Sequence, residues 1–132
     1  MSIEFYQDKA NEHRWRIMEE GDDSPIHACH EGFSGRHKAF QNLLINHSMM
    51  SIFVNSVARG EIKLGKDLGN VRFDEDGDGI RWKIEADNHE TVGMAHRGYK
   101  TIYDAVDNLI ITYTMLTMYV AQAAQARTNV DE

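Results

Sequence analysis

The chain of 132 residues has a single cysteine, Cys29, so it cannot form an intramolecular disulfide. A lone thiol fits a reducing compartment, and the chain does not open with the basic segment and apolar run of a secretory signal. The most apolar stretch, residues 109–121, includes threonines and tyrosines and is too short to span a bilayer. We therefore expect a soluble, cytoplasmic protein without membrane contact.

Basic residues are also few relative to acidic ones: 14 Lys and Arg against 21 Asp and Glu give a formal net charge of −7. Residues 1–66 carry 8 Lys and Arg against 9 Asp and Glu, whereas residues 67–132 carry 6 against 12. Proteins that bind phosphate backbones rely on lysines and arginines that release counterions. We therefore expect no direct binding of nucleic acid, although an acidic surface could attract a basic partner.

The sequence has no GxSxG, no phosphate-binding glycine loop and no HExxH motif. As a nucleophile, Cys29 would need a base and an orienting group, and only its proximity to His27 marks it. On a strand, His27 and Cys29 share a face and His30 points away, so the three do not converge on one tetrahedral metal ion. We predict no enzymatic activity, no cofactor and no metal. One alternative is a small ligand-binding protein or enzyme that uses His27, Cys29 or His30.

What the sequence does contain is one motif written twice, 66 to 68 residues apart, with the only two tryptophans at equivalent positions. The matched positions are Ile3 with Val71, Phe5 with Phe73, Asp8 with Asp76, Arg14-Trp15-Arg16-Ile17 with Arg81-Trp82-Lys83-Ile84, His30 with His96, Gly32 with Gly98, Phe33 with Tyr99, Ala39 with Ala105, Asn42 with Asn108, Leu43 with Leu109 and Ile45 with Ile111. We expect two copies, 1–64 and 65–132, within one compact pseudo-symmetric domain.

Each copy predicts three strands followed by a helix. Polar and apolar residues alternate around both tryptophans, which is typical of half-buried strands. After Ser34 and Thr101, which suit helix N-caps, apolar residues recur at three- and four-residue steps. The second helix is expected to end near Ala126, and residues 61–64 are interpreted as a short strand. Both helices are too apolar to rest on a sheet alone, so they should also contact each other or a second subunit.

The motifs Phe5-Tyr6-x-Asp8 and Gly32-Phe33, with Arg81-Trp82-Lys83 and Gly98-Tyr99 in the second copy, resemble the YegP-like family of small bacterial and archaeal proteins. That resemblance implies an α+β fold in which two tandem β-β-β-α repeats share one antiparallel sheet by strand exchange. Two long amphipathic helices would pack on one face of that sheet. Function in the family is unassigned. The chain departs from it in its longer helices, which indicates an added interaction surface near the C-terminal end.

The acidic segment 74–79, followed by Glu85, satisfies the EF-hand loop pattern, with Asp74, Asp76, Asp78 and Glu85 as oxygen ligands. An EF-hand loop joins two helices, however, whereas both flanks of this segment predict strands. The aligned part of the first copy has no such pattern. Because Asp-Gly dipeptides suit tight turns, we predict a hairpin turn and no metal site.

Two features predict contacts with a partner: the wide apolar face of the second helix and the basic face of the second strand. Their residues are Tyr113, Leu116, Tyr119 and Val120 on the helix, and Arg14 and Arg16 on the strand. We predict a non-enzymatic macromolecule-binding module that acts through protein–protein contacts and forms a homo-oligomer through its helices. The alternative is a small acidic inhibitor or decoy of a nucleic-acid-handling protein, such as a nuclease or a defence effector.

Overall fold

The computed structural model describes residues 1–19, 21, 24–61, 63 and 66–131, with side chains up to Ala126 in the last helix. The elements are β1 (Ser2–Gln7), β2 (His13–Met18), β3 (Pro25–Ala28), α1 (Arg36–Ala58), β4 (Val71–Asp76), β5 (Gly79–Glu85), β6 (Thr91–Met94) and α2 (Ile102–Asp131). The predicted order of three strands and a helix is confirmed in both copies. The short strand predicted at 61–64 includes residues outside the described part. Neither helix of that part has the length and apolarity needed to cross a membrane.

The strands form two separate antiparallel sheets, β1-β2-β3 and β4-β5-β6. The prediction of one sheet shared by strand exchange is therefore not confirmed, because every ladder between the described strands joins strands of the same copy. Instead, helix side chains donate hydrogen bonds to backbone carbonyls of β3 and β6, the short third strand of each copy. Asn108 donates to the Ile26 carbonyl of β3, and Asn42 donates to the Val92 carbonyl of β6, both at 2.9 Å. In each case the donor belongs to the other copy.

Each helix asparagine also binds a tryptophan of its own copy. The indole N–H of Trp15 donates to Asn42 Oδ1 at 3.0 Å, and that of Trp82 donates to Asn108 Oδ1 at 2.8 Å. Both tryptophans are completely buried. A buried amide that bridges two partners stabilises a contact because either partner, left unpaired, would lose its hydration without compensation. The two asparagines thus tie the second strand of one copy to the third strand of the other.

Further along, each helix packs on the first strand of the opposite copy. Phe53 of α1 contacts Phe73 of β4, with ring centroids 5.5 Å apart, and Tyr119 of α2 contacts Phe5 of β1 at 5.8 Å. The copies therefore exchange helix contacts, not strands. The expectation that the helices pack on the sheets and on each other is confirmed.

The helix ends follow the predictions in part. Thr101 caps α2 as predicted, because its Oγ1 accepts a hydrogen bond from the backbone N–H of Asp104 at 3.1 Å. The cap of α1 is Gly35, not Ser34, and it makes no side-chain hydrogen bond. Helix α2 continues to Asp131, past the predicted end.

Candidate interaction surfaces

The acidic segment forms the end of β4, up to Asp76, and the turn of the predicted β4–β5 hairpin. Asp76 pairs with Gly79 across the turn, and Gly79 has a φ of +127°, which favours glycine. A side chain at Gly79 would collide with the Tyr99 carbonyl, since the Gly98-Tyr99 segment passes against the turn. Glu85 lies at the other end of β5. Within the described residues, no group of three or more His, Cys, Asp or Glu side chains is placed to hold a metal ion.

Cations of β5 pair with the three aspartates of this hairpin. Arg81 binds Asp76 Oδ2 through Nε at 3.0 Å and Asp78 Oδ2 through Nη2 at 2.8 Å, and Lys83 Nζ lies 2.7 Å from Asp74 Oδ2. The backbone N–H of Asp78 and the guanidinium of Arg81 lower the pKa of Asp76. The EF-hand-like pattern is thus a hairpin with cross-strand ion pairs.

Both arginines predicted to bind a partner have acidic partners within the chain. Arg14 Nε lies 2.6 Å from Asp8 Oδ2, and its Nη1 donates to the Cys29 carbonyl at 3.4 Å. The hydrogen bond from Arg14 lowers the pKa of Asp8. Arg16 Nε lies 2.9 Å from Glu4 Oε2. Arg14 therefore joins the first hairpin turn to the end of β3, and a role of either residue in binding a partner stays a prediction.

His27 lies at the centre of the molecule, between the two copies. Its ring is fully buried, with centroids 5.2 Å from the Trp15 ring and 4.9 Å from the Trp82 ring. Neither ring nitrogen has a hydrogen-bond partner among the described residues. Burial lowers the pKa of His27 to about 3, and His96 and His30 contribute in the same direction. The imidazole is therefore neutral and packs as an aromatic ring.

Cys29 is also unsuited to catalysis. It is 5% exposed, its sulfur accepts a hydrogen bond from the Trp15 N–H at 3.2 Å, and its thiol donates to the Glu31 carbonyl at 3.3 Å. Burial raises the pKa of the thiol, so it stays protonated and weakly nucleophilic. His30 has a buried Nδ1 without a partner in the described part of the chain. The arrangement of His27, Cys29 and His30 gives no support to the hypothesis of an enzyme built on them.

The apolar face of α2 predicted to bind a partner is mostly covered from within the chain. Leu116 is 0% exposed and belongs to the core, and Tyr119 contacts the Phe5 ring. Tyr113 stacks on a histidine of α1 at 5.1 Å, and Val120 is half-buried. The expectation that Leu116 lies on the surface and binds a partner is therefore wrong, because this side chain is buried in the core. Residues of the first copy therefore contact this face of α2, at the place where the sequence predicted a second chain.

Sequence reasoning missed a different apolar surface, on the sides of the helices that face solvent. We call these residues the outer stripes: Ile45, Met49 and Ile52 of α1, and Ile111, Met115 and Met118 of α2. Ile52 is 56% exposed and Met118 53%, and the two occupy the same position in the two copies. The spacing of the stripes, i, i+4 and i+7, places each set on one helix face.

The free edge of β1 is a second surface that the sequence did not reveal. Phe5 pairs with Trp15, whose carbonyl accepts the Cys29 N–H on the β3 side. Gln7 pairs with His13, which is likewise bonded toward the segment after β3. Because backbone groups alternate in an antiparallel ladder, Phe5 and Gln7 turn their N–H groups away from β2. Within the described residues, neither of these N–H groups has a partner.

The equivalent edge of β4 is bonded at two positions to the segment that precedes it. The N–H of Val71 donates to the Leu68 carbonyl at 3.0 Å, and the N–H of Phe73 donates to Asp67 Oδ1 at 3.0 Å. Phe73 is the counterpart of Phe5, so the same backbone position is bonded in one copy and open in the other. At the Phe5 position, the open edge is therefore specific to the first copy.

Three surface depressions follow β1 along this open edge, with volumes of about 270, 390 and 320 Å³. We call them together the edge groove. Its lining residues include Ile3, Met115 and Met118 at one end, Phe5, Phe40, Tyr119, Arg36 and His37 in the middle, and Tyr6, Gln7 and His13 at the other end. The guanidinium of Arg36 lies 5.0 Å from the centroid of the Phe5 ring, between the second and third depressions.

Known proteins resemble this chain in structure. A UPF0339 protein from Shewanella oneidensis, solved by NMR, superposes with a TM-score of 0.59 at 11% identity, over 86% of this chain and 82% of that one. The YegP protein of unknown function from E. coli gives a TM-score of 0.57 at 15% identity, over 87% and 84%. This chain has the YegP fold. The resemblance to the YegP-like family is thereby supported at the level of the fold. No protein-family model and no curated protein matches the sequence, and the YegP fold brings no assigned activity with it.

Proposed function

We propose that this chain is a non-enzymatic protein-binding module that self-associates through the outer stripes of α1 and α2. The observation that carries the proposal is the repetition of exposed apolar residues at equivalent positions of the two helices. Ile45 and Ile111 are 42% and 39% exposed, and Ile52 and Met118 are more exposed still. The four exposed side chains of the stripes lie outside the core and its packing shell, whereas Met49 and Met115 are half-buried and pack against the core.

The simplest partner for two similar stripes is a second molecule of the same chain. A two-fold interface requires a self-complementary surface, and a chain that presents the same apolar pattern twice offers one. Met49 and Met115, at the centres of the stripes, have flexible side chains that adapt to an irregular surface. The neutral, buried states of His27 and Cys29 support the non-enzymatic part of the proposal.

Sedimentation velocity over a range of protein concentrations tests self-association. We expect the wild-type chain to form dimers or larger assemblies in the micromolar range, about −8 kcal/mol for a Kd near 1 μM. Replacing Ile45, Ile52, Ile111 and Met118 by Gln should yield a monomer with an unchanged circular dichroism spectrum. Tyr103→Gln is the control, because it removes an aromatic residue that is 63% exposed but lies outside the stripes. A wild-type chain that stays monomeric at several hundred micromolar would falsify the proposal.

A further inference from the structure

We propose that the edge groove binds an extended, acidic segment of a partner protein, which adds to β1 as a further strand. An exposed sheet edge presents unpaired N–H and C=O groups at every second residue, and an extended peptide satisfies them by pairing. Phe5 and Gln7 offer such groups on β1. At the corresponding edge of β4, Leu68 and Asp67 already accept hydrogen bonds from the N–H groups of Val71 and Phe73.

The depressions of the edge groove provide places for alternate side chains of the added strand. Side chains of a strand that point to one face recur every second residue, and Ile3, Phe5 and Gln7 have the same spacing along β1. The depression near Ile3 is lined by Met115, Met118 and Tyr119 and suits an aliphatic side chain. The central depression suits an aromatic one, since the Phe5, Phe40 and Tyr119 rings contact one another there.

The charge of the groove selects an acidic segment. Arg36, His37 and His13 line it, and none of its described lining residues is Asp or Glu, in a chain of net charge −7. The first turn of α1 likewise contains no acidic residue. In the second copy, Ile102 and Ile80 stand at the positions of Arg36 and His13. The fold therefore does not require these basic groups, and a carboxylate beside Arg36 would gain a charge-assisted hydrogen bond.

This site extends the proposed function to a second surface and does not depend on self-association. Met115 and Met118 border one end of it, but the backbone edge and Arg36 lie outside the outer stripes. If the chain proves to be a strict monomer, the proposal for the edge groove still stands. If the chain assembles but does not bind acidic peptides, the proposal for the outer stripes still stands.

The test is an NMR titration of the full ¹⁵N-labelled chain with the synthetic peptide acetyl-Thr-Val-Thr-Phe-Thr-Glu-Thr-amide, up to about 2 mM, which detects affinities near −4 kcal/mol. The reversed sequence is titrated as well, because β1 accepts parallel or antiparallel neighbours. We expect saturable shifts of the Ile3, Phe5 and Gln7 amide signals with at least one of them. The same peptide with Lys in place of Glu should bind at least about tenfold more weakly.

Matched variants separate the backbone contribution from the charge contribution. Gln7→Pro removes one outward N–H from an edge position that tolerates proline, whereas Gln7→Ala keeps it. Arg36→Glu reverses a charge in the groove, and Lys38→Glu makes the same change at an exposed residue that does not line it. We expect Gln7→Pro and Arg36→Glu to weaken binding at least about tenfold and the two controls to leave it within about twofold.

Three results overturn the proposal. The first is the absence of shifts at β1 at the highest peptide concentration for both peptide directions. The second is equal binding of the acidic and basic peptides. The third is a shift of the Phe5 and Gln7 amides with protein concentration, in the absence of peptide, in the chain whose exposed stripe residues are replaced by Gln, because that would mean that the β1 strands of two chains pair with each other.

Discussion

The imidazole of His47 lies flat against the phenol ring of Tyr113, with centroids 5.1 Å apart and an angle of 10° between the rings. The two residues occupy the same position in the two copies, 66 residues apart. A residue that contacts its own counterpart lies on the axis that relates the copies. The pseudo-two-fold axis therefore passes between α1 and α2 at this point, and the exchanged contacts of the helices are arranged around it.

Replacing either bridging asparagine should destabilise the whole chain. Asn108→Leu leaves the Trp82 N–H and the Ile26 carbonyl without their present partners, so we expect a loss of about 3 kcal/mol in the free energy of unfolding. Asn42→Leu should cost less, about 2 kcal/mol, because Asn46 also donates to the Val92 carbonyl, at 3.0 Å. Guanidinium denaturation gives both values. Asn55→Leu, at an exposed position of α1, is the control and should stay within about 0.5 kcal/mol of the wild type. Equal values for all three variants would contradict the bridging role.

Gly93→Ala should destabilise the contact between β6 and α1. A Cβ atom at Gly93 would collide with Asn46 Oδ1, which lies directly over it, so we expect a loss of about 1–3 kcal/mol. Gly77→Ala places its Cβ in open space in the hairpin turn and should be nearly neutral. Thermal unfolding of the two variants compares them directly. If Gly93→Ala melts like Gly77→Ala, the close approach of β6 to α1 is wrong.

The burial of His27 predicts a loss of stability in acid. Its folded-state pKa, about 3, lies below the value of 6.5 for an exposed histidine, so between these pH values the unfolded chain binds one more proton at this site. The contribution of His27 is fully present above pH 6.5 and declines by about 1.4 kcal/mol per pH unit below it. Burial also lowers the pKa of His47 and His96, which adds to the acid sensitivity.

A His27→Phe variant isolates this effect, because it keeps an aromatic ring between the tryptophans and removes the titrating group. Free energies of unfolding should be measured between about pH 4 and pH 7.5. Below pH 6.5, the slope of this free energy against pH should be smaller for the variant by the amount that one bound proton contributes, about 1.4 kcal/mol per pH unit. His47 and His96 are unchanged in both proteins and cancel in the comparison. Parallel pH profiles for the wild type and the variant would show that His27 is accessible to protons in the folded chain.

The sequence predicted the features that depend on neighbouring residues. Alternation around Trp15 and Trp82 predicted the central strands, and the Asp-Gly dipeptides predicted the β4–β5 turn. The Thr101 cap was predicted because a hydroxyl at that position reaches an N–H only three residues ahead. Ser34 has the same chemistry, yet the helix begins one residue later, at a glycine that leaves the end uncapped.

The features that sequence could not supply depend on contacts between distant residues. The pattern of apolar residues around Leu116 is the same whether a second chain or the first copy covers this face of α2. Sequence alone therefore cannot distinguish a contact within the chain from a contact with a partner. The contact between the two sheets involves Asn42 and Asn108, which are far apart in sequence from the carbonyls of the opposite copy that they bind. The open edge of β1 becomes visible only beside β4, where Asp67 closes the equivalent edge.

The two copies fold as one unit through exchanged helix contacts, and the single-tryptophan variants Trp15→Phe and Trp82→Phe test this cooperativity. In each variant, the remaining tryptophan reports on one copy by fluorescence, while circular dichroism reports on both helices. We predict that the two signals give the same guanidinium midpoint and the same slope within each variant, as a single cooperative transition requires. A fluorescence transition separated from the circular dichroism transition in either variant would mean that one copy unfolds without the other, and that the two copies are not one folding unit.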